Sequence, residues 1–130
     1  MILGIALPAA AATLGAGGLA AVLRYLLSTA LAGRGTLPWA VVVVNVVGSA
    51  IGGTAVGLAQ GGAISADARL VLLAGVAGGL TTFSTWSVDS IQLFLDGRWR
   101  AALGNIGLNL AVGVTVAAAC YSGALVLSGA

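Results

Sequence analysis

"AGGLTTFSTWS", Ala77 to Ser87, decides how this chain is read. It lies inside a segment otherwise apolar enough to cross a membrane, yet it holds two glycines, three threonines and two serines. Glycine gives up the most backbone entropy on ordering. Thr81 and Thr82 are β-branched and have low helix propensity. Gly78-Gly79 followed by these threonines therefore predicts an interruption about halfway through a helical span. A broken helix frees carbonyl and N–H groups, and in lipid these must be met by protein, water or an ion. Two outcomes fit: an ion site built from unwound carbonyls, or a glycine packing notch that holds no ligand.

The rest of the chain supports the membrane setting. Of its 130 residues 60% are apolar and only 6% are charged, whereas a soluble domain carries about a quarter charged residues. Such a chain cannot cover its own surface in water, and the class is integral membrane. The charged groups are Asp67, Asp89, Asp96 and the arginines at 24, 34, 69, 98 and 100, with no histidine. They form no clustered basic footprint, so no nucleic-acid partner is expected. With no histidine, one cysteine (Cys120) and no carboxylate pair, the chain is not expected to be an enzyme. The lone cysteine also rules out an intramolecular disulfide and a multi-cysteine metal site. The first basic residue is Arg24, so the charged start of a cleavable signal peptide is missing. The N-terminus is expected to be retained as the start of the first helix.

A bilayer core about 30 Å thick needs roughly 20 apolar residues in a helix, and four segments fit. They run from about Ala9 to Leu31, Pro38 to Leu58, Ala66 to Leu95, and Ala101 to Leu127. Pro38 suits a first helical turn, and Ser65 is a candidate cap for the third span. The long apolar runs lack the alternation of a membrane barrel. A single all-α domain over residues 1–130 is the expectation, a multi-pass protein of a prokaryotic plasma membrane in contact with lipid. Loops one and three carry Arg34, Arg98 and Arg100, while the other side carries Arg69 and the N-terminal amine. The positive-inside rule places loops one and three in the cytoplasm, but the bias is weak. A chain so nearly balanced is suited to insertion in both orientations.

Small residues recur at helical spacing. In the second span Gly48 and Gly52 form one series, and Ser49, Gly53 and Gly57 another. Such series serve close helix packing, either against a second copy or within the chain. The polar residues are few. Asn45 lies in span two; Asn105 and Asn109 share a face of span four with Gly113. Buried asparagine is costly unless satisfied, so these amides either bond helix to helix or line a polar path. Arg24 either snorkels to the interface or faces a water-filled vestibule and attracts anions. Asp89, late in span three, is a candidate partner for an arginine. Phe83 and Trp86 share a face after the break, as do Ser84, Ser87 and Ser90. The aromatic pair is either packing or a lining that presents electropositive ring edges.

At this point a family comes into view. "GGLTTFSTW", Gly78 to Trp86, resembles the signature of the Fluc/CrcB fluoride channels, usually GGLTTFSTF. "VNVVGS", Val44 to Ser49, resembles the family's Asn-x-x-Gly-Ser element, and "RYLLS", Arg24 to Ser28, its first-helix Arg-Tyr motif. The resemblance implies an antiparallel, dual-topology homodimer of four-helix subunits with two fluoride pores. It implies a central structural Na⁺ held by backbone carbonyls, here those of Gly78 and Thr81 from each chain. It places Asn45, Phe83, Trp86, Ser84, Thr85, Asn105 and Asn109 along the fluoride path and Arg24 in its vestibule. Trp86 departs from the family, which has phenylalanine there; indole is larger and carries an N–H donor. Asn105 and Asn109 stand where the family commonly has a tyrosine followed by serines.

The chemistry of that expectation is coherent. Fluoride is small and tightly hydrated, so it needs strong replacement donors. Amides, hydroxyls and ring edges supply these without a lysine or arginine that would trap the ion, and conduction needs binding loose enough to release. A fixed cation offsets the cost of bringing an anion into low dielectric. Two rivals explain less. A small dual-topology multidrug transporter needs a membrane carboxylate in its first helix, and this chain has no glutamate and no aspartate there. A scaffold subunit would account for the glycines but not for the clustered polar break.

Overall fold

A computed structural model of the chain describes residues 7–33 and 35–129. The expectations placed on the N-terminal amine and on Arg34 lie outside the described residues. Within them the chain is helical, in the order α1 (Leu7–Ala30), α2 (Trp39–Gln60), α3 (Ala66–Leu70), a wide-turned π segment (Val71–Ala77), α4 (Gly78–Leu80), α5 (Phe83–Leu95) and α6 (Trp99–Leu127). Ala66–Leu95 together make one span, and with α1, α2 and α6 they give 4 helices long and apolar enough to cross a membrane. Their large side chains face outward: Leu14, Leu19, Val114 and Val126 are all exposed. That is the arrangement a lipid solvent allows and water penalises.

The ends follow local chemistry. Ser65 caps α3, its Oγ accepting the Ala68 N–H at 3.1 Å, as its position before the span suggests. Pro38 stands just before α2 rather than in its first turn, so the missing N–H falls where no helical bond is needed. Helices α2 and α5 end alike. Gly62 and Gly97 take φ of +73° and +74°, which glycine adopts without a Cβ penalty. The next amides then reach back, Ala63 N to Leu58 O at 2.8 Å and Arg98 N to Leu93 O at 2.9 Å. Loops one and three meet at one end, where the Arg98 guanidinium donates to the Thr36 carbonyl. Trp39 and Trp99 are exposed at that end, with the Arg100 guanidinium 5.8 Å from the Trp99 ring centroid. Amphipathic rings of this kind suit a membrane interface. At the other end Tyr121 donates to Gln60 Oε1 at 2.7 Å.

Two helix pairs carry the packing, and small residues make both possible. Helix α2 lies on α6 in a fixed register. Asn45 meets Asn109, Gly113 faces Ser49, Gly53 faces the Ala117 carbonyl, and Gly57 faces the Tyr121 carbonyl. A methyl group at Gly53 would collide with Ala117 backbone. The Ser49–Gly53–Gly57 series therefore serves packing within the chain. Helix α1 lies along the π segment and α4 in the same way: a Cβ at Gly75 would stand 2.9 Å from the Thr13 carbonyl, and one at Gly79 would strike Gly17. Close approach of this kind lets dispersion hold helices together where lipid offers no hydrophobic drive.

The break does not fall on the glycines. Gly78 and Gly79 stay helical, and the chain extends at Thr81 (φ −76°, ψ 155°) and Thr82 (φ −146°, ψ 115°). The reason is the packing just described. Gly79 is needed where α1 comes closest, while the threonines meet side chains that draw their backbone out of the helix. The π segment before it is a second departure from regular helix, and such wide turns are frequent near functional sites.

Candidate functional site

The break is organised by Asn45, which projects from α2 and binds both sides of one peptide. Its Oδ1 accepts the Thr82 N–H at 2.8 Å and its Nδ2 donates to the Thr82 carbonyl at 3.4 Å. In a continuous helix that N–H would close on the Gly78 carbonyl. Asn45 takes it instead, so Gly78 O is released from the ladder. Thr82 then starts the next helix as its cap: its Oγ1 accepts the Thr85 N–H at 3.2 Å and donates to Thr85 Oγ1 at 2.9 Å. Ser84 Oγ lies 3.4 Å from the same hydroxyl. Thr81 Oγ1 folds back onto the Ala77 carbonyl at 2.9 Å.

Arg24 does not snorkel. Its Nη1 donates to the Thr81 carbonyl at 3.1 Å, and its side chain is half-buried. The reason is electrostatic: a guanidinium has donors only, and the carbonyl freed by the helix break accepts one of them. Two of the carbonyls at the break are those the sequence singled out. That of Gly78 is free of its helical donor, and that of Thr81 is met by a cation. Among the described residues no group of three or more His, Cys, Asp or Glu could hold a metal, so a cation here would depend on neutral oxygens, backbone carbonyls or hydroxyls.

Beside the break lies a cavity of about 220 Å³, lined by Asn45, Thr82, Phe83, Trp86, Asn109 and Leu110 among others. None of these side chains carries a charge. Phe83 and Trp86 meet edge to face, their centroids 5.3 Å apart and their planes at 64°, the geometry that ring quadrupoles favour. Phe83 is 76% exposed on the outer surface of the chain. The Trp86 indole N–H points instead to the Asn105 carbonyl at 3.4 Å.

From the cavity a polar track runs inward. Asn45 Nδ2 donates to Asn109 Oδ1 at 2.8 Å. Asn109 Nδ2 donates to the carbonyl of Asn105 at 3.0 Å and to its Oδ1 at 3.1 Å. Asn105 Nδ2 donates to Ser90 Oγ at 2.9 Å. Asn105 is 0% exposed, and every one of these buried amides has a partner, as low dielectric requires.

The residues expected to work together thus fall into three groups. Asn45, Phe83, Trp86 and Asn109 surround the cavity, with Asn105 continuing from it. Ser84 and Thr85 do not line it; both are exposed and gather at the Thr82 hydroxyl. Gly78 and Thr81 lie on a larger apolar groove of about 640 Å³ shared with Gly48, Ser49, Gly52 and Ala117. Asp89 is apart from all three, in a pocket with Gln92, Asp96 and Arg98. Two participants were not anticipated. Thr82 is the hub of the break, and threonine is a favoured residue type just before a helix start. Ser90 is the inner end of the track, and only its place in a serine row marked it.

Known proteins match this architecture. The family described as CrcB-like protein, Camphor Resistance (CrcB) matches residues 10–123. The chain is 43% identical over 99 residues to fluoride-specific ion channel FluC 1 of Thermobifida fusca, covering 75% of this chain and 79% of that one. It is 40% identical to the fluoride-specific ion channel FluC of Renibacterium salmoninarum, covering 78% of this chain and 87% of the relative. It is 42% identical to that of Pseudomonas syringae pv. maculicola, covering 78% and 81%. With a matched segment that takes in the break, the asparagines and the small-residue helix pairs alike, the chain belongs to the CrcB/FluC family of ion channels, a multi-pass bacterial membrane protein and not an enzyme.

Proposed function

We propose that the chain is a fluoride-selective channel through which F⁻ leaves the cell passively. The observation that carries this reading is the uncharged track of amide donors, Asn45 to Asn109 to Asn105, opening beside the aromatic pair. Fluoride gives up its water only to comparably strong donors, and neutral N–H groups that pass from their amide partners to the ion replace that water without holding it as a full charge would. Nothing around the cavity titrates near neutral pH, which favours passive flow over proton coupling. Relatives named fluoride-specific ion channels support the ion's identity.

The working unit is an antiparallel homodimer of dual topology with two pores, one beside each chain's track. In its favour is the small-residue groove on the face that bears Gly78 and Thr81. Gly52 has room there for close approach, with only Leu73 within ordinary contact at 3.4 Å. A structural Na⁺ sits where the two breaks cross. The donor chemistry fits it: backbone carbonyls released from a helix suit a hard cation. The carbonyls of Gly78 and Thr81 from one chain, joined by those of a second copy, would make four. Arg24 occupies one side of the Thr81 oxygen, which has a second lone pair to give. The ion supplies a fixed positive charge that lowers the cost of an anion nearby.

The test is growth. Expression in a bacterium that lacks its own fluoride exporter should restore growth on medium containing fluoride, and Asn45→Asp should not restore it. Equal growth with and without the wild-type chain would contradict the reading.

A further inference from the structure

Ser90, the inner end of the track, also closes a ring of hydrogen bonds between α5 and α6. The Trp86 indole N–H donates to the Asn105 carbonyl at 3.4 Å. Asn105 Nδ2 donates to Ser90 Oγ at 2.9 Å. The Ser90 hydroxyl donates in turn to the Trp86 carbonyl at 2.7 Å. Both Ser90 and Asn105 are buried, at 7% and 0% exposure. Water cannot stand in for either partner, and a buried amide left without one is costly.

The ring has a consequence for the whole track. A serine hydroxyl can turn, but here its hydrogen is committed to the Trp86 carbonyl, so Ser90 faces Asn105 as an acceptor. Asn105 must therefore turn its nitrogen toward Ser90 and its Oδ1 toward Asn109. Asn109 must answer with nitrogen, which leaves its own Oδ1 for Asn45 Nδ2. Asn45 Oδ1 is left for the Thr82 N–H. From the Thr82 N–H through Asn45, Asn109, Asn105 and Ser90 to the Trp86 carbonyl one continuous run of bonds points the same way, and such chains polarise one another. An amide has a fixed donor end and a fixed acceptor end. Reversing Asn105 would set nitrogen against nitrogen at Asn109, whose own nitrogen is anchored on the Asn105 backbone carbonyl; the Thr82 N–H anchors Asn45 at the break, and Ser90 is the acceptor that lets Asn105 keep the matching orientation at the inner end.

The geometry points to Ser90 as a positioning residue for conduction: its hydroxyl holds Asn105 in the orientation the track requires and ties α5 to α6 beside the Trp86 indole. This rests on the fluoride reading for its functional half only. Ser90 does not touch the cavity beside Phe83; it acts through Asn105 and Trp86.

Ser90→Thr and Ser90→Val test this, because the two replacements have nearly the same shape and differ in the hydroxyl. One readout is fluoride efflux from proteoliposomes, and the other is hydrogen exchange of the Trp86 indole N–H in protein labelled with ¹⁵N-tryptophan. The threonine variant should stay within about twofold of wild type in both. The valine variant should pass fluoride about tenfold more slowly and exchange its indole proton about tenfold faster, the change expected for one lost buried hydrogen bond. Ser90→Ala repeats the comparison without added bulk. Equal efflux and equal exchange in the threonine and valine variants would overturn the proposal. If wild-type protein released no fluoride, the fluoride reading would fail, while indole exchange would still decide whether the Ser90 ring exists.

Discussion

Replacing Asn45 with aspartate exchanges one NH₂ group for a charged oxygen at the point where break and track meet. The amide uses both ends: Oδ1 holds the Thr82 N–H at 2.8 Å, and Nδ2 donates to Asn109 Oδ1 at 2.8 Å and the Thr82 carbonyl at 3.4 Å. A carboxylate keeps the first bond and loses the other two, turning each into a contact between acceptors. The lost bonds are worth about 1 kcal/mol each. The larger effect falls on the anion. A unit charge about 4 Å from a passing fluoride costs about 4 kcal/mol at an effective dielectric of 20. That lowers fluoride occupancy about a thousandfold. Asn45→Ala is the control, since it removes the donors without adding charge and should slow efflux by about tenfold from the lost contacts. A fluoride electrode following release from loaded proteoliposomes reads all three proteins. The order wild type, then alanine, then aspartate is expected. Fluoride release from Asn45→Asp as fast as from Asn45→Ala would refute the placement of Asn45 on the path.

Two further outcomes follow from packing and from the break. Gly53→Ala sets a methyl group into the Ala117 backbone, an overpacking that should lower stability by about 1–3 kcal/mol; Gly18→Ala, with nothing within 4 Å, should leave the melting temperature in detergent unchanged, and equal melting of the two would contradict the α2–α6 register. Arg24→Gln removes a full charge from the Thr81 carbonyl, so the Na⁺ concentration that supports the proposed dimer should fall by about tenfold or more, read by size-exclusion chromatography with Na⁺ replaced by a large organic cation; an unshifted Na⁺ requirement would show that the guanidinium and the proposed ion do not share that oxygen.

What could be read from sequence alone was whatever depends on neighbours along the chain. The four spans end within a few residues of where apolar runs end, because hydrocarbon thickness sets their length. Ser65 announces the third span by its own hydroxyl. The Ser49–Gly53–Gly57 series was visible as spacing. Its partner was not, since nothing local says that the matching row lies on α6 at Gly113, Ala117 and Tyr121. The break illustrates the same division. Glycines and threonines mark the neighbourhood, but its position at Thr81–Thr82 is chosen by Asn45, 37 residues away in sequence. Arg24 read locally is a side chain close enough to a helix end to snorkel. Only the folded bundle supplies the Thr81 carbonyl, 57 residues on, that holds it. The three asparagines were legible as costly residues needing partners. That they satisfy one another in a single direction, ending on Ser90, is a property of three helices together.

Fluoride and chloride release from liposomes containing the purified protein, measured side by side under the same gradient, tests the central claim most directly. A track of neutral donors beside a charge-compensated break should discharge fluoride quickly and retain nearly all the chloride. Release of both anions at the same rate would mean that the amides do not select, and the account would fail.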